Sequence, residues 1–152
     1  MTNLRLAELN AKYIIAANDL SLKPGQAQFI APVTYSAAAS VIDPSTAWQR
    51  VIVDDDTDEV VAFIHGHFDP NAEAPEFRAA LWRILVDAEG QGRGIGRFAA
   101  DALADEARAR GYDELYVHYE PGEDGPGPFF TRIGFEPVGE TPYGDVIARM
   151  TL

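Results

Sequence analysis

The run Gln91-Gly92-Arg93-Gly94-Ile95-Gly96-Arg97 has the clearest chemical signature in the chain. Its alternating glycines let the backbone approach a ligand closely, because no side chain stands between. A helix predicted over Gly94 to Arg110 begins here, so its first amide N–H groups lack partners within the helix and face outward. Arg93 and Arg97 add charge-assisted donors. The combination is a cradle for an anion, a phosphate or pyrophosphate. Groups able to move a proton lie elsewhere. His65 and His67 share one face of a predicted strand with Phe63, and His118 and Glu120 share one face of another. Imidazole titrates near neutrality, and a carboxylate at a strand end can act through water. The competing reading is a hydrogen-bonded structural role for each histidine and a surface or capping role for Glu120. Tyr119 and Tyr143 are further candidate acids.

The elements that must position these groups follow from periodicity and punctuation. Leu4 to Leu9 reads as a short strand or the start of a helix, and Ala11 to Leu22 as a helix ended by Pro24-Gly25. Gln26 to Ile42 is ambiguous, with an alanine-rich centre that favours helix. Trp48 to Val53 and Val60 to Phe68 are strands joined by the acidic spacer Asp54-Asp55-Asp56-Thr57-Asp58-Glu59, which reads as a hairpin tip. That spacer lacks the glycine, the terminal glutamate and the flanking helices of a calcium loop, so no metal is expected. Asp69 to Glu76 is a loop and Ala79 to Val86 a central strand. Leu115 to Tyr119 is another strand, Phe129 to Ile133 a short helix closed by Gly134, and Val146 to Met150 a terminal strand. The order is mixed around a β-α-β unit, which predicts an α/β fold with a partly antiparallel sheet. The 152 residues suit one domain, 1–152, with 47% hydrophobic residues to build a core.

Composition removes several function classes. There is no cysteine, hence no disulfide, thiolate nucleophile or iron–sulfur cluster. Twelve basic residues against 24 acidic ones give a net charge of −12, which opposes nucleic-acid binding and draws cationic small molecules. No signal peptide or membrane span is read, so a cytoplasmic protein that binds no membrane is expected. Among phosphate loops, a Walker-type loop would need Gly-Lys-Ser/Thr, which is absent. Gly94-Ile95-Gly96-Arg97-Phe98-Ala99 fits G-x-G-x-x-A, but the strand ending at Val86 lies too far upstream for a dinucleotide fold.

Gln91-Gly92-Arg93-Gly94-Ile95-Gly96 resembles the Q/R-x-x-G-x-G/A motif of the GNAT superfamily of acyl-CoA N-acyltransferases. Ile84-Leu85-Val86 resembles that family's fourth strand, and Phe129-Phe130-Thr131-Arg132-Ile133-Gly134-Phe135 its short late helix with a Gly-Phe ending. Thr34-Tyr35-Ser36 and Tyr119-Glu120-Pro121 resemble the spermine/spermidine (diamine) acetyltransferase-like branch. The resemblance implies a mostly antiparallel sheet with a central splayed strand pair and flanking helices. It implies acetyl-CoA as cosubstrate, with backbone around Leu85 and Val86 pairing with pantetheine. Gln91, Gly92, Arg93, Gly94, Ile95, Gly96 and Arg97 would hold the pyrophosphate, and Phe130 would pack along the pantetheine arm. The implied reaction is attack of a neutral amine on the acetyl thioester, assisted by a base and a backbone amide of the fourth strand. The family often has a tyrosine where Phe130 stands, and an asparagine where Glu123 stands. The expected function is therefore acetyl transfer to a primary amine of a small, cationic acceptor. Glu120, His65, His67 and His118 are the catalytic candidates, and oligomeric state is open between monomer and homodimer. Phe130 keeps a second reading alive, a non-catalytic CoA-binding or regulatory domain; a nicotinamide-dependent oxidoreductase is more distant.

Overall fold

Segments in which every second residue is apolar pair edge to edge, while the one long segment with a three-to-four residue repeat coils against them. The computed structural model describes residues 3–20, 44–88, 93–122 and 125–152. In chain order these form β1 (Leu4–Glu8), α1 (Ala11–Asn18), β2 (Ala47–Asp54), β3 (Glu59–Phe68), a 3-10 turn (Pro75–Phe77) and β4 (Ala79–Val86). They continue as α2 (Ile95–Ala109), β5 (Glu114–Tyr119), α3 (Gly127–Arg132), β6 (Glu136–Glu140) and β7 (Val146–Thr151). The strands make one seven-stranded sheet in the order β1-β2-β3-β4-β5-β7-β6. Every pairing is antiparallel except β4 with β5, which are joined through α2 and run parallel.

The sheet has two unequal faces. Trp48, Ile52, Ala62, Ile64, Leu81, Leu115 and Val117 lie on one, packed against Ile95, Ala99, Leu103 and Ala107 of α2 and against Phe130 and Phe135. The spacing of those α2 positions puts small alanines toward the sheet, so the helix sits close. At Gly66 of β3 the approach is closest: a Cβ there would collide with Leu103, so the position needs a glycine. The other face carries a smaller apolar group, Val51, Val53, Phe63 and Leu85, covered by Ala17, Tyr13 and Leu20 around α1. Helix α1 is capped by the Asn10 side chain, which accepts from the Tyr13 amide at 2.8 Å.

The strands, the hairpin and the three helices just named match the sequence expectations within a residue or two at most ends, with α1 stopping at Asn18. Two elements were not expected. Strand β6 reads Glu-Pro-Val-Gly-Glu and is exposed throughout, an edge held only by β7, so no apolar alternation announces it. The 3-10 turn lies within the segment read as a loop and its continuation. The ambiguous segment 26–42, with Thr34-Tyr35-Ser36, lies outside the described residues, as do Gln91, Gly92 and Glu123. Among the described residues no helix is long and apolar enough to cross a membrane.

Candidate functional site

The parallel ladder between β4 and β5 is short. It holds only at Ala80–Tyr116 and Leu81–Val117, and beyond it β4 runs on to Val86 while β5 runs on to Tyr119. The two strands part at their C-terminal ends, as the splayed pair was expected to do. A local cause is visible on the other side of β4. His65 pairs with Arg83 and Gly66 with Leu81, so Trp82 is an extra residue, a β-bulge. A bulge bends its strand and increases the twist. It also shifts the phase of β4: Ala79, Leu81, Ile84 and Val86 pack toward α2, leaving Leu85 to the opposite face. At the parting lies a cavity of about 320 Å³ lined by Glu76, Phe77, Ala80, Leu81, Trp82, Arg83 and His118.

His118 is half-buried on β5, edge-on to the Phe77 ring at 5.4 Å between centroids. Its Nε2 is shut off from solvent without a hydrogen-bond partner. Burial lowers its pKa from the ordinary imidazole value, partly opposed by the negative charges of Glu76 and Asp145. The ring is therefore neutral at pH 7 and able to accept a proton. Across the bulge, Arg83 is half-buried, and burial also disfavours its charged form. Its Nε has no partner, and its Nη1 donates only to the carbonyl of neighbouring Trp82 at 3.4 Å.

His65 and His67 do point to the same side of β3 as Phe63, but the cavity lining includes neither. His65 is 1% exposed and lies 3.3 Å from Gln49 Nε2 through its Nδ1. Burial, with the nearby Arg83 and His67, pushes its pKa down to about 4. His67 stacks flat on Trp82, with centroids 4.1 Å apart. Both histidines thus brace the bulge from behind. Glu120 follows directly after β5 and is exposed. Tyr119 packs into the α2-side core against Phe130, while Tyr143 is 93% exposed on the β6–β7 connection.

The residues read as an anion cradle sit in different surroundings. Gly94 precedes α2 with φ +83°, a left-handed conformation that suits glycine, and nothing lies within 4 Å of where its Cβ would be. Among the described residues nothing crowds that position, at the start of the helix where the amides of Ile95, Gly96 and Arg97 have no helical partner. Arg93 is exposed beside it. Gly96 is different: a Cβ there would stand 2.8 Å from Phe129 Cε1 and 3.4 Å from Val86 Cγ2. Packing against α3 is thus enough to require glycine at 96. Arg97 donates through Nη2 to the Arg132 carbonyl at 3.0 Å, tying α2 to the end of α3. Leu85 is buried toward α1 and Val86 half-buried toward α2, both in the stretch of β4 beyond the β5 ladder. Phe130 is 5% exposed among Tyr119, Phe129 and Phe135, so its ring belongs to the core.

Glu76, Phe77, Trp82 and Arg83 were not singled out as site residues in the sequence. Phe77 and Trp82 are each 41% exposed, large rings left facing the cavity. Trp82-Arg83 interrupting an otherwise apolar central strand was the available signal. Glu76 carries none, because only the path of the loop brings it to His118. Among the described residues no group of three or more metal-ligating side chains comes together.

Solved structures share this architecture at low sequence identity. The PaiA N-acetyltransferase of Thermoplasma acidophilum, solved in complex with coenzyme A, superposes with a TM-score of 0.74 at 13% identity, covering 99% of each chain. Nourseothricin acetyltransferase gives 0.71 at 17% identity over 97% of this chain and 98% of its own. Ard1 of Thermoplasma volcanium gives 0.70 at 17% identity over 98% and 97%. At such identities the likeness establishes the fold. No curated protein matches the sequence. The Acetyltransferase (GNAT) family model matches residues 20–135, most of the chain and the whole of the parted strands and glycine loop, so this protein belongs to the GNAT acetyltransferase family.

Proposed function

We propose that the protein transfers an acetyl group from acetyl-CoA to the primary amine of a small acceptor that arrives as a cation. The observation that carries this reading is the parting of β4 from β5 with a cavity at its mouth and a neutral His118 in the wall. The residues present fit the cosubstrate: Gly94, uncrowded by the described residues at the start of α2, suits a pyrophosphate, and the gap between the strands suits an extended arm. Bound acetyl-CoA supplies an acetyl group already activated as a thioester. His118 takes the proton that the amine must lose, so that a C–N bond forms as the C–S bond breaks and the thiolate leaves. Glu76, in the cavity wall, favours an ammonium ion entering the cavity.

Phe130 favours a second reading, CoA binding without catalysis, because its buried ring offers no hydroxyl to a leaving thiolate. Initial rates of free-thiol release from acetyl-CoA, over a panel of polyamines, aminoglycosides, arylamines and amino acids, separate the two. Turnover with any acceptor class supports transfer. Tight CoA binding with no turnover across the panel removes it.

A further inference from the structure

Of the half-buried arginines among the described residues, Arg5, Arg50 and Arg83, only Arg83 meets no carboxylate. Arg5, Arg50, Arg108 and Arg110 reach carboxylates, and Arg78 and Arg97 donate to carbonyls of other segments. Arg83 lies in the wall of the cavity, half-buried, with Nε sealed from solvent and bonded to nothing. Among the described residues no carboxylate stands within ion-pair distance of it. Scarcity of acids is not the reason, since the chain has 24 of them against twelve basic residues. A half-buried guanidinium without a counter-charge is costly to maintain, and a ligand carboxylate is the group whose two oxygens match its paired N–H donors.

The rest of the cavity agrees with a ligand of two poles. Glu76 exerts its charge on His118, whereas only burial perturbs Arg83. His65, which pairs across the sheet with Arg83, is neutral at pH 7 and so contributes no second positive charge. Between the poles stand the apolar rings of Phe77 and Trp82. A volume of about 320 Å³ equals that of roughly ten liquid waters at ~30 Å³ each, which is the scale of an amino acid.

We propose that Arg83 receives a carboxylate of the acceptor, so that the molecules acetylated are small amines that also carry a carboxylate, such as amino acids and short peptides. This rests on the acetyl-transfer reading above and replaces its cationic acceptor with one whose ammonium group is balanced by a carboxylate. The amine sits toward His118 and Glu76, the carboxylate on Arg83, and the body of the molecule against Phe77 and Trp82.

The test compares each common amino acid with its carboxamide, with spermidine alongside, at saturating acetyl-CoA. For the side chains accepted, kcat/KM for the acid is expected to exceed that for the amide by about tenfold or more, the scale of a charged hydrogen bond. In Arg83→Met the preference disappears through a higher acceptor KM, with the KM for acetyl-CoA unchanged; Arg83→Lys restores part of it. Equal use of acid and amide, or better use of spermidine, overturns this inference and leaves acetyl transfer standing. So does an Arg83→Met variant that keeps the preference and loses affinity for acetyl-CoA, which would assign Arg83 to the cosubstrate. Acetylation of none of these amines, nor of any in the wider panel, overturns both. If Arg83→Met fails to fold, the acid-to-amide comparison in the unaltered protein decides alone.

Discussion

The β2–β3 hairpin tip and the cavity beside β4 are both charged, and they are organised in opposite ways. At the hairpin, Asp55 and Asp58 are bridged by Arg5 at 2.9 and 3.0 Å, and Asp58 also by Lys12 at 2.6 Å. The Tyr13 hydroxyl donates to Asp58, Asn3 donates to Asp56, and the Asp54 carboxylate accepts from the Asp56 amide. Lys12 is held above its ordinary pKa and Asp58 below, each by the other. The density of charge there fastens β1 and α1 to the turn. In the cavity fewer ionisable groups appear, but Arg83 Nε and His118 Nε2 are buried without partners. Charge that is already answered fixes the fold, whereas the acceptor site proposed above holds two buried nitrogens for a ligand to answer.

The largest effect that comparison predicts is at His118. His118→Gln retains a polar side chain of similar reach but no group that titrates near neutrality. We expect kcat to fall by about 10²- to 10⁴-fold, the usual contribution of a positioned base, with CoA affinity and melting temperature preserved. The acid limb of the kcat/KM profile in the unaltered protein should lie below the ordinary imidazole value, since burial lowers the His118 pKa. Retention of full activity in the variant would move the base elsewhere, and Glu120 is then the residue to replace.

Why the sequence spoke for one part of this site and not the other is a matter of range. The cradle at Gly94 to Arg97 depends on a local switch from strand to helix, and glycines, arginines and the start of an amphipathic repeat all record it within a few residues. Strand identity was equally local, because Val60 to Phe68 and Ala79 to Val86 are apolar runs bounded by turn residues. The cavity instead joins a 3-10 turn, a bulge and the end of β5, and no spacing of Glu76, Arg83 and His118 encodes that meeting. The bulge itself was hidden, because an extra residue in β4 shows only when its partner strand is in view. Gly96 was legible as a glycine that must stay small, yet the atom it avoids belongs to Phe129 of another helix.

Strand β3 allows the same contrast within one element, since His65 faces the side away from α2 and Gly66 the α2 core. With its folded pKa pushed down to about 4 and an unfolded value near 6.5, His65 takes up a proton on unfolding throughout that window. Its effect on stability is therefore neutral above the unfolded value and grows unfavourable as pH falls from there toward 4. The full loss is about 3 kcal/mol at roughly 1.4 kcal/mol per unit. Denaturant titrations from pH 7 to pH 4 should show a shallower decline in His65→Gln than in the parent protein. Parallel declines would mean that His65 is not held neutral by burial.

Gly66→Ala should act on the other face and without pH dependence. The new methyl group meets the end of the Leu103 side chain, which is 0% exposed and must shift within the core. Overpacking of this kind costs typically 1–3 kcal/mol, so we expect an offset of ~2 kcal/mol that is the same at each pH. Leu103→Val in the same background should recover part of it. A variant as stable as the parent would show that α2 can shift away from the sheet.

The smallest effect is expected at the hairpin, where Asp55→Asn combined with Asp58→Asn removes the partners of Arg5 and Lys12. These pairs are exposed and screened, so the loss in melting temperature should be slight and should shrink as salt is added. The tip lies roughly 20 Å along β3 from His65, at about 3.4 Å per residue, and His65 is itself behind the cavity wall. Charges exposed at that range, beyond a Debye length of about 8 Å at physiological salt, do not steer a small acceptor. The kcat/KM for the preferred acceptor should therefore match the parent at every salt concentration. Glu76→Gln, inside the cavity, should lower kcat/KM for the same acceptor and move the acid limb of the profile further down, because the His118 pKa loses its main upward influence. A hairpin variant that lost activity at low salt and regained it at high salt would reverse the comparison, making the answered charges the ones that gather the substrate.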